Sequence, residues 1–360
     1  MKVLKKIGRI VLSIFLAVVI LAAGYVAYVF IAYHRIPDNQ ELEVVRPVKY
    51  GPAASVGEEY RIVSWNIGFG AYEDDYGFFM DGGTESWAWS RERLSANMMK
   101  IGAKLNDQKA DFLLVQEIDT KSTRTYKMNE LELLTDGLGQ YTWDFAQNYD
   151  SPFLMYPLTQ PHGRSRAGIA TFSLFDVTSA LRRSLPIEKG FSKFLDLDRC
   201  YSVSRIPLKD GRELVLYNMH LSAYTSDPST ATNQLRMLLE DMQAEYEAGS
   251  FCVAGGDFNK DILGDSSVWF GKGDKEYTWA QPIPPETFDG VDIRLVAPLD
   301  EADPVPSCRN ADGPYHEGQY VLTIDGFLVS PNVEVRSSGV VDYQFRYSDH
   351  NPVYMTFVLG

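Results

Sequence analysis

Cysteine is nearly absent: the 360 residues hold three, Cys200, Cys252 and Cys308. At most one bridge could form among three, so a disulfide framework is excluded. None sits in a CxxC spacing, which argues against a structural zinc site. Basic charge is also short, with 34 Lys and Arg against 48 Asp and Glu, a net of −14. Five of those basic residues (Lys2, Lys5, Lys6, Arg9 and Arg35) lie in residues 1–36, which contain no acid. The rest of the chain therefore carries 29 basic and 48 acidic side chains, a net of −19. Such a domain repels polyanions at long range. No run of five to eight Lys or Arg offsets this, and a tight nucleic-acid binder usually has the opposite balance. Nucleic acid is thus disfavoured as a partner, with a local basic groove left open. Internal repeats and low-complexity tracts are missing. Apolar residues at 45% and charged residues at 23% exclude disordered and collagen-like chains.

Only one long apolar run exists, which excludes a multi-span transporter. Val11 to Tyr33 are 23 consecutive residues without Asp, Glu, Lys or Arg. At about 1.5 Å per helical residue they span the roughly 30 Å hydrocarbon core. The basic residues before them place a cytoplasmic N-terminus at 1–10, a transmembrane signal-anchor at 11–33 and the remainder outside the cell membrane. A cleaved signal peptide is the rival, but its apolar core is usually about 7–15 residues long. Residues 34–58, interrupted by Pro37, Pro47, Gly51 and Pro52, read as a linker. Residues 59–360 read as one domain, because no second linker follows.

Within that domain strands and helices alternate. Tyr60–Trp65, Asp111–Gln116, Ala167–Phe172, Glu213–Met219, Phe251–Ala254, Val321–Val329 and Pro352–Phe357 have the apolar character of buried strands. Ser90–Asn106 predicts a helix with Leu94, Met98, Ile101 and Leu105 on one face. A second helix starts at Asp227-Pro228, where Asp is an N-cap and Pro suits the first turn. Leu235, Leu238, Leu239, Met242 and Tyr246 give it an apolar stripe. Lys260–Pro306 is the least patterned stretch and reads as a loop-rich excursion on the substrate side.

Polar residues with chemical uses recur at the ends of these strands: Asn66, Glu117, His220, Asp257 and Asn259, Asp325, and Asp349 with His350. Strand ends converge on one rim in layered α/β domains, and ligand sites are built there. Glu117 and Asp349 are hard oxygen ligands suited to a divalent cation such as Mg²⁺. Asn66 and Asn259 can donate to phosphate oxygens. His220 and His350 can exchange protons near neutrality. Asp325 can fix a histidine tautomer, and Asp257 can hold or deprotonate a water. Singly, each residue is an ordinary turn former or solvated side chain. Yet only five histidines exist, His34, His162, His220, His316 and His350, and two fall in this small set. With no reactive Cys or Ser motif, the set points to metal-assisted attack of water on a phosphoester.

The stretches Ser64-Trp65-Asn66, Val115-Gln116-Glu117, Asn218-Met219-His220-Leu221, Gly256-Asp257-Phe258-Asn259, Ile324-Asp325-Gly326 and Ser348-Asp349-His350-Asn351-Pro352 resemble, in order, the motifs of the endonuclease/exonuclease/phosphatase superfamily. The resemblance covers about residues 60–358. It implies an α/β fold of the α+β type: a four-layer α/β/β/α sandwich, here preceded by one N-terminal transmembrane helix. It also implies Glu117 as the principal Mg²⁺ ligand (Mn²⁺ can take its place), assisted by Asn66 and Asp349. Asp257 and Asn259 then position the water and the phosphate, His350 and Asp325 form a His–Asp pair, and His220 is a second catalytic histidine. The general base stays open between Asp257 and His350. Some members of the superfamily place a Tyr or Arg against the phosphate. Arg124, Tyr126, Arg164 and Arg166 are the candidates, Arg being suited to bidentate phosphate contact.

The expectation is a membrane-anchored, extracytoplasmic phosphoesterase acting on a small-molecule or lipid-headgroup phosphoester, with no obligate protein partner. A nuclease of the same fold and a catalytically inactive binding module are the alternatives.

Overall fold

The computed structural model describes residues 2–48, 51, 53–187, 197–223, 229–274, 277 and 279–360. The helix start expected at Asp227-Pro228 lies outside the described residues.

One sheet has six strands, in the order β14 (Val333–Val340), β15 (Val353–Leu359), β2 (Glu59–Asn66), β3 (Phe112–Asp119), β5 (Arg166–Ser173), β4 (Thr142–Asp150). The other has seven, in the order β1 (Gln40–Leu42), β6 (Ser179–Ser184), β7 (Cys200–Pro207), β8 (Glu213–His220), β9 (Phe251–Asp257), β13 (Asp325–Val329), β10 (Arg294–Val296). A small pair, β11 (Cys308–Arg309) and β12 (Val321–Leu322), stands apart. Only β2–β3 and β8–β9 pair in parallel; the other pairs are antiparallel.

Side-chain alternation along each strand builds the layers. Ile62, Phe112 and Leu114 turn inward and meet Leu216, Val253 and Phe327 of the facing sheet. Val63, Trp65, Leu113 and Val115 turn outward under α2 (Arg91–Asp107) and α3 (Glu130–Gly137), where Leu94, Met98, Ile101, Leu105 and Leu134 cover them. Tyr217, Met219, Cys252 and Ala254 turn outward under α4 (Ser229–Glu247), which lays down Leu235, Leu238, Leu239 and Met242. The result is the four-layer α/β/β/α sandwich. Ser90 caps α2 by accepting the Arg93 amide at 3.1 Å.

Three expectations need adjustment. Val321–Val329 is two strands: β12 pairs with β11, the chain breaks at Thr323-Ile324, and β13 enters the large sheet. The described parts of 34–58 (34–48, 51 and 53–58) are docked on the domain. Gln40–Leu42 pairs with β6, Val45 bridges Trp143, Arg46 bonds Asp176 at 2.6 Å and Ala54 bridges Leu208. The stretch 260–306 supplies α5 (Ser267–Phe270) and the edge strand β10.

The N-terminal helix α1 (Lys2–Ala32) is the single helix, among the described residues, long and apolar enough to cross a membrane. A signal sequence would share those properties. Its C-terminal turns touch the domain. The Tyr25 hydroxyl donates to the Phe153 carbonyl and accepts the Met155 amide, both at 3.1 Å. The Tyr28 hydroxyl accepts the Phe153 amide at 3.0 Å.

Candidate active site

Strand register assembles the site. In the seven-stranded sheet His220 lies opposite Asp257 across the parallel β8–β9 pair, and Asp257 lies opposite Asp325 across the antiparallel β9–β13 pair. Three strand ends therefore form one row. Gly256 precedes Asp257 at φ +148°, and a Cβ there would sit 1.9 Å from the Met219 carbonyl oxygen, so only glycine permits the approach of β8. In the six-stranded sheet Asn66 ends β2 beside Gln116 of β3.

A bulge in β3, between Val115 and Ile118, separates Gln116 from Glu117. Gln116 stays between the sheets, donating to Asn218 Oδ1 at 2.8 Å and Ser64 Oγ at 3.1 Å. Glu117, at φ +58°, is re-aimed into a cleft of about 720 Å³. A non-glycine residue in the left-handed region costs about 1–3 kcal/mol, strain that concentrates at functional sites. Asn259, at φ +49°, is a second such residue on the same cleft. Its amide bonds Asp257 Oδ1 at 2.7 Å and its side chain donates to the Leu221 carbonyl at 2.9 Å. Asn66 joins the two sheets. Its Nδ2 donates to Glu117 Oε1 at 3.1 Å and to Asp257 Oδ2 at 3.0 Å, while its Oδ1 accepts the Gly68 amide at 3.0 Å.

His350 Nδ1 bonds Asp325 Oδ2 at 2.8 Å, and Ser307 Oγ donates to the same carboxylate oxygen at 2.7 Å. His350 Nε2 lies 3.8 Å from Asp257 Oδ2 and 3.6 Å from the Cys308 thiol. Burial alone would lower the His350 pKa; Asp325 and Asp349 outweigh it and hold the imidazolium well above the ordinary histidine value. His220 has the opposite environment. Burial, aided by the positive Arg199 and His350, holds it well below that value, so it is neutral. Its Nε2 lies 3.4 Å from Asp257 Oδ2 and 3.8 Å from Glu117 Oε1. Burial also raises the Asp257 pKa; His350 opposes that rise and Asp325 adds to it.

Two acidic groupings could hold a cation. Asp257, Asp325 and His350 offer ligand atoms within 4.8 Å of one another. An ion among all three would compete with the His350–Asp325 hydrogen bond. The second grouping is Glu117 with Asp349. Burial, then the Glu117 charge, pushes Asp349 up to about 6, while His350 pulls it down. Two hard oxygen donors on one cleft wall, the charge of one raising the pKa of the other, fit a divalent cation. The Asp349 backbone is fixed by the Arg309 amide, which donates to its carbonyl at 3.0 Å.

The arginines turn out differently. Arg124 lines the cleft but is committed to Asp119 through two 2.9 Å bonds, and stacks 3.6 Å over Phe69. Arg164 and Arg166 both turn to Asp150, at 2.8 and 3.3 Å, and line no part of the cleft. Tyr126 donates to the Ala88 carbonyl at 2.9 Å. The residue that sequence reasoning missed is Arg199. It is 6% exposed, lines the cleft, and its buried Nε and Nη1 find no partner among the described residues. It lies just before β7, at a strand start. β7 runs antiparallel to β8, with Tyr201 opposite Met219, so that start lies on the same rim as His220. Knowing that pairing would have pointed to Arg199.

Comparison with known proteins follows the same geometry. The crystal structure of an endonuclease/exonuclease/phosphatase from Beutenbergia cavernae aligns with a TM-score of 0.56 at 15% identity, covering 84% of this chain and 72% of that one. The human Nocturnin catalytic domain with bound sulfate aligns at 0.52 and 19% identity, covering 89% and 98%. D. rerio TDP2 complexed with a single-strand DNA product aligns at 0.51 and 14% identity, covering 84% and 99%. At these identities the likeness shows the fold. No curated protein sequence matches the chain significantly. The sequence profile of the Endonuclease/Exonuclease/phosphatase family, whose members are generally metal-dependent hydrolases of phosphoesters, matches residues 63–350. That match covers most of the chain, and the chain belongs to this family.

Proposed function

We propose that this chain is a membrane-anchored, extracytoplasmic phosphoesterase that hydrolyses a small-molecule or lipid-headgroup phosphoester with a divalent cation, Mg²⁺ or Mn²⁺. The observation that carries the reading is the geometry around Asp257: Asn66 and the Asn259 amide fix its carboxylate, His220 lies 3.4 Å from it, and His350, bonded to Asp325, lies 3.8 Å from it. Environments that separate the protonation states of neighbouring groups assign acid and base roles.

Glu117 and Asp349, with Asn66 steering Glu117, would hold a divalent cation, which when bound would supply Lewis acidity and neutralise phosphate charge. Asp257, oriented by Asn66 and the Asn259 amide, accepts the proton of the attacking water. The water oxygen bonds to phosphorus, the ester P–O bond breaks, and the leaving oxygen takes the alcohol away. His350, held and charged by Asp325, offers its Nε2 proton to the phosphate or the leaving oxygen. His220 and Asn259 border the same phosphate position. Arg199, on the same cleft, brings a guanidinium charge toward the phosphate.

The anchor follows from the uncharged span 11–33 with basic residues before it. A nuclease is the second reading, favoured by the fold shared with a protein holding a DNA product. Against it stand the net charge of −19 and an apolar outer cleft. One panel separates the readings. The purified full chain is assayed with Mg²⁺ and with chelator on a soluble chromogenic phosphoester, phospholipid vesicles and plasmid DNA at about 0.15 M salt. Ester or lipid hydrolysis that chelator abolishes, with Glu117→Ala losing about 10²-fold or more, is the expected result. Plasmid cleavage abolished by His350→Ala, without ester hydrolysis, promotes the nuclease. Unaltered activity of Glu117→Ala in chelator refutes the metal.

A further inference from the structure

The cleft has a lip that catalysis does not explain. From Phe153 to Leu158 the sequence is Phe-Leu-Met-Tyr-Pro-Leu, and no Asp, Glu, Lys or Arg occurs between Ser151 and Gly163. Outside α1, nine large apolar side chains are exposed among the described residues. Five of them are here: Met80, Phe153, Met155, Tyr156 and Leu158, the last 81% exposed. Scattered apolar side chains are ordinary on a surface, whereas a cluster on one loop marks an interaction site.

Two observations say what covers it. First, the lip is bonded to the end of α1: Tyr25 and Tyr28 make the three hydrogen bonds to Phe153 and Met155 described above. Because Tyr25 and Tyr28 are bonded to the domain, the part of the apolar helix that crosses the core lies N-terminal to them rather than over the whole of 11–33: from Lys6 to Tyr25 an α-helix rises about 28 Å, which matches the roughly 30 Å hydrocarbon core. Arg9 reaches back to the cytoplasmic surface by extending its side chain. Tyr25, Tyr28, Phe30 and Tyr33 then form the outer aromatic belt that helices place at the headgroup level. The loop that Tyr25 and Tyr28 hold is at that level as well. Second, an aromatic wall connects lip and site. Ring centroids step from Tyr72 to Phe78 at 5.5 Å, to Phe79 at 4.7 Å and to Tyr156 at 5.7 Å. At its inner end Tyr72 lines the same cleft as Glu117 and Asp349.

We propose that the 153–158 loop, with Met80, inserts into the outer leaflet of the bilayer that α1 crosses, and that the cleft draws a phospholipid from that leaflet. The headgroup phosphate goes to the catalytic end and an acyl chain lies along the Tyr72–Phe78–Phe79–Tyr156 wall. This narrows the substrate to a membrane phospholipid and rests on the anchored-phosphoesterase reading. The docked segment 34–48 leaves the domain little freedom to lift away from the anchor.

The test uses the full chain reconstituted in vesicles of phosphatidylcholine and phosphatidylglycerol. Leu158→Cys is labelled with an environment-sensitive dye; Cys200, Cys252 and Cys308 are buried, so the new thiol reacts selectively. The dye is expected to shift to the blue in vesicles and to be quenched by phospholipids carrying spin labels near the headgroup. Unquenched emission from vesicle-bound protein overturns the insertion, as does finding that the chain does not stay in the vesicles. A second variant, Leu158→Asp, is expected to lower hydrolysis of vesicle phospholipid about tenfold more than hydrolysis of a soluble phosphoester, on the scale of one buried leucine. Equal losses on both substrates, or none on either, overturn the leaflet-fed cleft. Quenching without hydrolysis of any ester would support the lip and refute the phosphoesterase, so the two failures are distinguishable.

Discussion

Arg199→Met separates a phosphate-binding arginine from a structural one, because the two roles predict opposite signs for stability. Arg199 is buried, and its Nε and Nη1 have no partner among the described residues. A buried polar group without a partner costs about 1–3 kcal/mol. Methionine fills similar space with a flexible apolar chain. The variant should therefore keep its stability or gain on the order of 1 kcal/mol. Activity should fall. Hydrogen bonds to a charged group are worth about 1.5–3 kcal/mol, which is roughly 10- to 150-fold in kcat/KM. Arg199→Lys keeps the charge without the planar fork and should recover only part of the loss. The assays are kcat/KM on a soluble chromogenic phosphoester with Mg²⁺ and the urea midpoint of the same preparations. A function held at the expense of stability gives lower activity with an unchanged or higher midpoint. Full kcat/KM in Arg199→Met, or a loss of activity that tracks a fall in the midpoint, refutes the assignment.

His350 and Asp325 should behave as one unit, since a single 2.8 Å bond joins them. Each alanine variant should lose about 10²- to 10⁴-fold in kcat, and the double variant should be little worse than either. Multiplicative losses in that cycle would mean that they act separately. Asp144 gives a prediction about stability and pH. It is fully buried, with Ser204 Oγ donating to it at 2.6 Å. Burial pushes its carboxyl up to about 7, and Ser204 only partly offsets this. Because the folded pKa is raised, the favourable protonated state is fully present below the unfolded value of about 4. Its contribution is lost as pH rises through about 7, for a total of up to about 4 kcal/mol. Asp144→Asn removes that dependence. Its stability relative to wild type, from urea denaturation, should climb between pH 4.5 and 8; a constant difference would disprove the burial argument.

The parts of this protein legible from its sequence are those where local pattern and long-range demand coincide. β2, β3, β8 and β9 are buried on both faces, so their apolar runs announce them, and a polar residue at such a run's end has few roles except at a rim. That is why Asn66, Glu117, His220, Asp257, Asp325, Asp349 and His350 could be singled out before their contacts were known. β6 and β7 are harder. Arg182 is fully buried in β6 and bonds the carbonyls of Gln147, Pro37 and Asp198 and the Ser184 hydroxyl. Nothing near Arg182 in sequence reveals that its guanidinium is satisfied by three distant segments besides its own strand. The same blindness governs the candidate arginines. Their chemistry suits phosphate, but partner choice is tertiary: Asp119 claims Arg124, and Asp150 claims both Arg164 and Arg166. Arg199 is left over only after that competition is resolved. A buried guanidinium with two nitrogens unpartnered among the described residues, on the same rim as His220, is better evidence for an anionic ligand than any arginine chosen by its place in the chain.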